Sequence, residues 1–512
     1  MKKLLLLLFF SGTACAILNG QPSSDSLVFY RDLSFHSDLE RSAFIAFLSE
    51  HRKAFPLFMA IEPEVQEEEV MEAELGFQSI VDELRAVALA SKKVNKTIKT
   101  AYGRIHQTYL RKYDELQFFP ALFKQGVYNC ASASMLYALA FEGIGVPYKV
   151  MVSSSHVYLV ANPGEKSVVI ETTNPSLEKA IFSGEFKAQY VNYLRQSKQI
   201  SEAEYKGKST EEIFEENYNA VREGTFLNLP GIQYYNKGYE KIQENELEEA
   251  FALLQKAYFF FPDNRVKVLL HNTCLALIER SDFRDVEEID YLSQYARFDP
   301  GNQDFIVGVF GNIIQHFAQY TDQEEHCRLL HDRLQSHLDD PRLCDEIRFS
   351  YNLRMSVNYS NSKRREDYIT SALAIKDNHR DANLLFEYHV RNKLSEISQY
   401  PALLDSIRIL EEKYPYPFIQ SVYDSYRSMA WLRIAEEEID NQRPKACEQY
   451  LAEFEERSPR PIQDEALYWT AERVYRKLAV HYYYRNRSLA KKTVDRGLQF
   501  VPESAALKSV TH

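Results

Sequence analysis

Between Asp38 and about Tyr113, apolar residues recur every three or four positions. In EPEVQEEEVMEAELGFQSIVDELRAVAL, Phe77, Ile80, Val81, Leu84 and Val87 fall on one side of a 3.6-residue spiral, which predicts a helix burying that side. The acidic run Glu67–Glu69 reads as a solvated helix face. After Pro120 the pattern changes. YNCASASMLYALAFEGIGVP, residues 128–147, predicts a helix of small and apolar residues that stops at its glycines and proline. Three β-rich runs follow, YKVMVS, HVYLVA and SVVIETT. The Pro-Gly turn signal in NPGEK joins the last two as a hairpin, and these runs make up the one convincing sheet in the chain.

Beyond about residue 225 a longer period takes over. GIQYYNKGYEKIQENELEEAFALLQKAYFFFPDN places Tyr234, Gly238, Ala250, Leu254, Ala257 and Pro262 at spacings that resemble the tetratricopeptide repeat, a helical hairpin. The frame returns near the C-terminus with Ala490, Val494, Gly497 and Pro502 in LAKKTVDRGLQFVPES. Small residues at Ala250 and Gly497 let two helices cross closely. Between these ends, helix pairs close near Pro300, Asn378, Pro415 and Pro459, so the resemblance implies a continuous α-solenoid.

Composition adds limits. At 512 residues the chain exceeds what a single hydrophobic core serves, and two or more domains are expected. Thirty-four Tyr and 31 Phe against 17 Gly suit packed helices, so the fold class expected is mainly α with a small α+β domain. A net charge of -12 gives no footprint for nucleic acid, whose phosphates need a basic surface. The opening MKKLLLLLFFSGTACA has a basic start, a short apolar run and small residues at Ala14 and Ala16. It predicts a signal peptide over residues 1–16 and an exported protein, periplasmic or secreted. Cys15 offers the other ending, a lipid anchor. No later run reaches the roughly 18 apolar residues of a membrane helix. The expected organisation is a helical segment over 17–94, a catalytic-type core over 95–200 and helical repeats over 201–512.

Without the leader, Cys130, Cys274, Cys327, Cys344 and Cys447 remain, an odd number without CxxC spacing, so neither a disulfide framework nor a zinc site is indicated. Cys130 opens its helix, where unpaired N–H groups and the dipole favour a thiolate. His156 opens a strand just after that helix turns back, behind the small residues SSS. Glu171 ends the next strand, where a carboxylate can orient the imidazole. Nucleophile, base and orienter thus come in the order helix, strand, strand.

Over roughly residues 95–180, YNCASASMLYALAFEGIGVPYKVMV, HVYLV and VVIETTNPS resemble the transglutaminase-like superfamily. Its core is papain-like, a helix packed on an antiparallel sheet. The resemblance implies Cys130 as nucleophile, His156 as general base and Glu171 as third member. The chain departs from the family in carrying Glu171 for the usual Asp, Thr172 for the following Pro and Tyr158 for a common Trp. Asn174 is the alternative orienter. An oxyanion would meet the Cys130 backbone N–H and a side-chain donor just upstream, Gln125 or else Tyr128.

The function expected is thiol-dependent acyl transfer: peptidase or amidase chemistry with water as acceptor, cross-linking with an amine. The solenoid would bind a protein or peptide partner. No metal or organic cofactor is implied, since there is no HExxH or comparable cluster. The alternative is a non-catalytic exported scaffold or peptide-binding protein whose transglutaminase-like domain is purely structural.

Overall fold

The computed structural model describes residues 27–91, 93–153, 156–164, 167–170, 184–196, 200–218, 221–320, 323–358 and 362–511. The leader with Cys15, and Glu171, Thr172 and Asn174, lie outside the described residues. The chain divides into two compact units, one up to Asn302 and one from Gln303 onward.

In the first unit, helices α1 (Asp38–Ser49), α2 (Ala54–Met59), α3 (Glu67–Ala90) and α4 (Val94–Tyr109) come first. A short parallel pair, β1 (Lys112–Tyr113) and β2 (Val127–Tyr128), brackets α5 (Phe119–Lys124). Helix α6 (Cys130–Ile144) then leads into β3 (Tyr148–Val152), β4 (Val157–Ala161) and β5 (Val168–Ile170). After α7 (Gly184–Gln196), α8 (Glu202–Gly207), α9 (Thr210–Tyr218) and β6 (Arg222–Gly224) come α10 (Leu229–Gln243), α11 (Leu247–Phe260), α12 (Asn264–Arg280) and α13 (Asp290–Phe298).

The predicted stripe on α3 holds at Phe77, Ile80, Val81 and Leu84, which are buried, while Val87 near the helix end is half-buried. Of the acidic run, Glu69 caps its own helix through the Gln66 N–H at 3.0 Å and pairs with Lys124 at 2.9 Å. The sheet is antiparallel throughout, in the order β5-β4-β3-β6. The expected hairpin is β4–β5; strand β6 was not foreseen. Alternate residues Val150, Val152, Val157, Leu159 and Ala161 are buried, and α6 packs against β4. The aromatic content goes into this core, where the Phe55 ring lies 5.5 Å from Phe119 and 5.2 Å from Phe123.

Helix α10 is anchored by one buried amide. Gln233 donates to the Phe58 carbonyl at 3.0 Å and accepts from the Phe119 N–H at 3.2 Å, so a single side chain satisfies the backbone of both α2 and α5.

The second unit consists of α14 (Gln303–Ala318), α15 (Glu324–His337), α16 (Pro341–Asn358), α17 (Ser362–Ile375), α18 (Arg380–Ser395), α19 (Tyr400–Lys413), α20 (Gln420–Asp440), α21 (Pro444–Arg457), α22 (Glu465–Tyr483), α23 (Arg487–Phe500) and α24 (Ala505–Lys508). The pairs α10–α11, α20–α21 and α22–α23 each close on a three-residue turn. In the first two, the middle residue is left-handed, Asn245 at φ 63° and Gln442 at φ 60°. Such paired helices are consistent with a helical repeat region. One buried carboxylate, Glu366, gathers His389, Lys393, Lys413 and the Tyr414 hydroxyl from α18 and the α19 end. The His389 hydrogen bond, with those from Lys393, Tyr414 and Lys413, outweighs burial and holds Glu366 well below the usual carboxylate range.

The small residues of the repeat frame do lie at close crossings. A Cβ on Gly238 would sit 3.0 Å from Leu254 and 3.4 Å from the Ala250 carbonyl, and one on Gly497 2.7 Å from Leu507 and 2.8 Å from Tyr475. Gly497→Ala is therefore expected to destabilise the second unit by about 1–3 kcal/mol through overpacking. Urea unfolding followed by tryptophan fluorescence checks this, since Trp431 and Trp469 both lie in that unit.

Candidate functional site

Cys130 is placed by its neighbour. Asn129 caps α6, its Oδ1 accepting from the Ser132 N–H at 2.8 Å while its own N–H donates to Ser132 Oγ at 2.9 Å. This reciprocal box fixes Cys130 as the first helical residue, where the backbone N–H groups have no partner within the helix. At the far end Gly145 takes φ 71°, and the chain turns back into β3.

Two contacts bring the histidine to the same end of the helix. Ser134, one turn beyond Cys130, donates its hydroxyl to the Val157 carbonyl at 3.1 Å, tying α6 to the first residue of β4. His156 immediately precedes that strand, one residue earlier than its expected place within it. The Ser153 N–H donates to the His156 carbonyl at 2.8 Å, extending the β3–β4 ladder one step past Val152 and Val157. The imidazole is near-parallel to the Tyr158 ring, with centroids 5.6 Å apart.

Cys130 and His156 line one cavity of about 100 Å³, together with Val152, Ser153 and Val157 from the sheet. Its other wall is helical: Ile232, Tyr235 and Asn236 from α10, and Phe261, Arg265 and Val266 from the α11–α12 junction. Family models, curated proteins and solved structures yield no match to this chain. The arrangement stands on its own chemistry.

A cavity this size admits a small reacting group, well below the ~300 Å³ and more of a typical drug-sized site. Cys130 is partly exposed. The other four thiols among the described residues are pushed up by burial, Cys327 to about 11, Cys447 to about 12, and Cys274 and Cys344 in the same direction. Among the described residues, no group of three or more His, Cys, Asp and Glu could hold a metal ion. Among the same described residues, no helix is long and apolar enough to cross a membrane.

The upstream donors expected from the sequence are not among the residues lining this cavity. Gln125 ends α5 as an exposed residue, and Tyr128 is buried in β2 with its ring 5.7 Å from Tyr113. The side-chain amide that does line it is Asn236, more than 100 residues downstream of Cys130. As a repeat-type helix by sequence, α10 carries no local sign that Ile232, Tyr235 and Asn236 wall a cavity. The one local signal was PDN before Arg265, a turn that caps α12 through Asp263.

Charge at the wall is paired. Arg265 holds both oxygens of Asp263, through Nε at 2.7 Å and Nη2 at 3.1 Å, and Arg222 reaches the same carboxylate at 3.3 Å. Burial would raise the Asp263 carboxyl, but the hydrogen bonds and charge of Arg265, with Arg222, hold it below its ordinary value.

Proposed function

We propose that the chain is an exported thiol acyl-transfer enzyme with a transglutaminase-like core, followed by tetratricopeptide-type repeats that bind a protein or peptide partner. The observation that carries this reading is the shared cavity: a cysteine at a helix N-terminus and a histidine at the start of the neighbouring strand line one small space. The His156 imidazole takes the Cys130 proton, and the thiolate attacks an amide carbonyl, forming a C–S bond. The tetrahedral oxyanion faces the helix N-terminal N–H groups and the Asn236 amide. Collapse breaks the C–N bond, with the His156 proton going to the leaving amine. Water or a second amine then attacks the thioester, loses its proton to His156 and frees the thiol. Glu171 is the proposed orienter of His156.

The test has two parts. Iodoacetamide near pH 7 should modify Cys130 before Cys274, Cys327, Cys344 and Cys447, as read by peptide mass mapping. Ammonia release from casein, or incorporation of a labelled primary amine into it, should occur with the wild type and vanish in Cys130→Ala. The small cavity volume favours the second reading, a non-catalytic scaffold. Uniformly slow labelling of all these cysteines, with no acyl transfer, would establish it.

A further inference from the structure

We propose that Arg265 is a positioning residue for His156, a bracket that fixes the strand carrying the imidazole to the first repeat-type helices. The inference rests on the reading that His156 acts on Cys130. The contacts form a chain. Arg265 Nη1 donates to the Ser153 carbonyl at 2.6 Å, and Ser153 in turn gives its N–H to the His156 carbonyl at 2.8 Å and its Oγ–H to the same oxygen at 3.3 Å. On its other edge the guanidinium grips Asp263, the cap of α12, whose Oδ1 also accepts the Arg265 N–H at 2.9 Å. The start of α12 and the end of β3, where Ser153 pairs with His156, are thereby held at a set distance.

The chemistry of the bracket calls for arginine. A planar guanidinium donates from two edges at once, whereas an ammonium is a point charge without that fork. Arg265 and Asp263 are only 6% and 5% exposed, so both charges have been taken out of water. A buried ion pair of this kind contributes little net stability compared with apolar residues of the same volume. What it supplies is a fixed geometry, directed at the backbone on which His156 stands.

The experiment is the pH profile of Cys130 alkylation by iodoacetamide in the full chain, measured for wild type, His156→Ala, Arg265→Met and the double variant. The profile of Arg265→Met is expected to move to higher pH by about one unit, making alkylation about tenfold slower on the low-pH limb. In the His156→Ala background, Arg265→Met should change nothing further, because its action passes through the imidazole. If Arg265→Met keeps the wild-type profile while His156→Ala moves it, the positioning role is wrong and the thiol–imidazole reading stands. An equal shift from Arg265→Met in both backgrounds would mean that the guanidinium acts on the sulfur directly, which also overturns it. If His156→Ala itself leaves the profile unchanged, the functional reading fails and this inference falls with it. Should Arg265→Met not fold, Arg265→Lys decides. Its charge is kept and its fork lost, so a profile displaced toward His156→Ala supports the role and a wild-type profile refutes it.

Discussion

Glu40→Ala is expected to destabilise the first unit by about 3–5 kcal/mol, because it leaves the buried ammonium of Lys256 without its counter-charge. Glu40 lies in the first turn of α1 and is 0% exposed. Its carboxylate accepts from Lys256 Nζ at 2.6 Å, from the Tyr234 hydroxyl at 2.8 Å and from the His36 N–H at 2.9 Å, with His36 Nδ1 at 3.0 Å. Tyr234 is on α10 and Lys256 on α11, so one side chain of α1 ties down a helix that walls the cavity and the helix packed against it. Burial on its own would raise the Glu40 carboxyl, but the His36 hydrogen bond and the charge of Lys256 bring it down to about 2. A depressed carboxyl contributes stability that is fully present above its unfolded value of 4.5 and is lost as the pH falls toward 2. Over that interval the carboxylate alone accounts for about 3 kcal/mol. Burial also draws the Lys256 ammonium down, so holding that cation dry offsets part of the gain. Urea unfolding of the first unit at pH 7, 4 and 3 should therefore show a steep acid loss in wild type that is shallower in Glu40→Gln. The probe has to be tyrosine near-UV circular dichroism or hydrogen exchange, since both tryptophans belong to the second unit.

Glu40 also marks the boundary of what a sequence discloses. His36 is a local partner, but Tyr234 and Lys256 are 194 and 216 residues away along the chain, and no local pattern announces that meeting. Features set within one helical turn or one hairpin were legible: the buried stripe of α3, the cysteine at the start of α6, the β4–β5 pair and the close crossings at Ala250 and Gly497. Those depend on periodicity, capping and side-chain size, which neighbours in sequence decide. Strand β6 is only Arg222–Gly224, too short and polar for alternation to show, and its place comes from pairing with Val150–Val152. Gln125 shows how weak closeness in sequence is as a guide: the turn after α5 leaves it exposed, and the amide that lines the cavity is Asn236 on α10.

Gly231→Val is expected to cost about 3 kcal/mol, the upper end of the range for overpacking, and to disturb the site as well. On helix propensity alone, replacing a helical glycine by alanine should stabilise by about 1 kcal/mol. Packing reverses the sign here. Any Cβ at Gly231 would lie 2.5 Å from Phe261 Cβ and 2.8 Å from both the Ala257 carbonyl oxygen and the Phe261 nitrogen. Two of those three atoms are backbone and are bonded to each other, the Phe261 N–H donating to the Ala257 carbonyl at 2.8 Å, so they cannot swing aside as a side-chain tip would. The helices must separate. Ile232, Tyr235 and Asn236 follow Gly231 on α10 and Phe261 ends α11, so the separation opens the cavity wall opposite Cys130 and His156. It also stretches the Gln233 hydrogen bonds that seat α10 on α2 and α5. A displacement of about 1 Å is enough to spoil a reacting geometry, so any acyl transfer should fall by about a hundredfold along with stability. Gly76→Ala in α3 is the control: nothing lies within 4 Å of its added Cβ, and a gain of up to about 1 kcal/mol is expected from propensity alone. A Gly231→Val protein as stable as the wild type would mean that α10 does not rest on α11 at this distance, and the helical wall of the cavity would lose its physical basis.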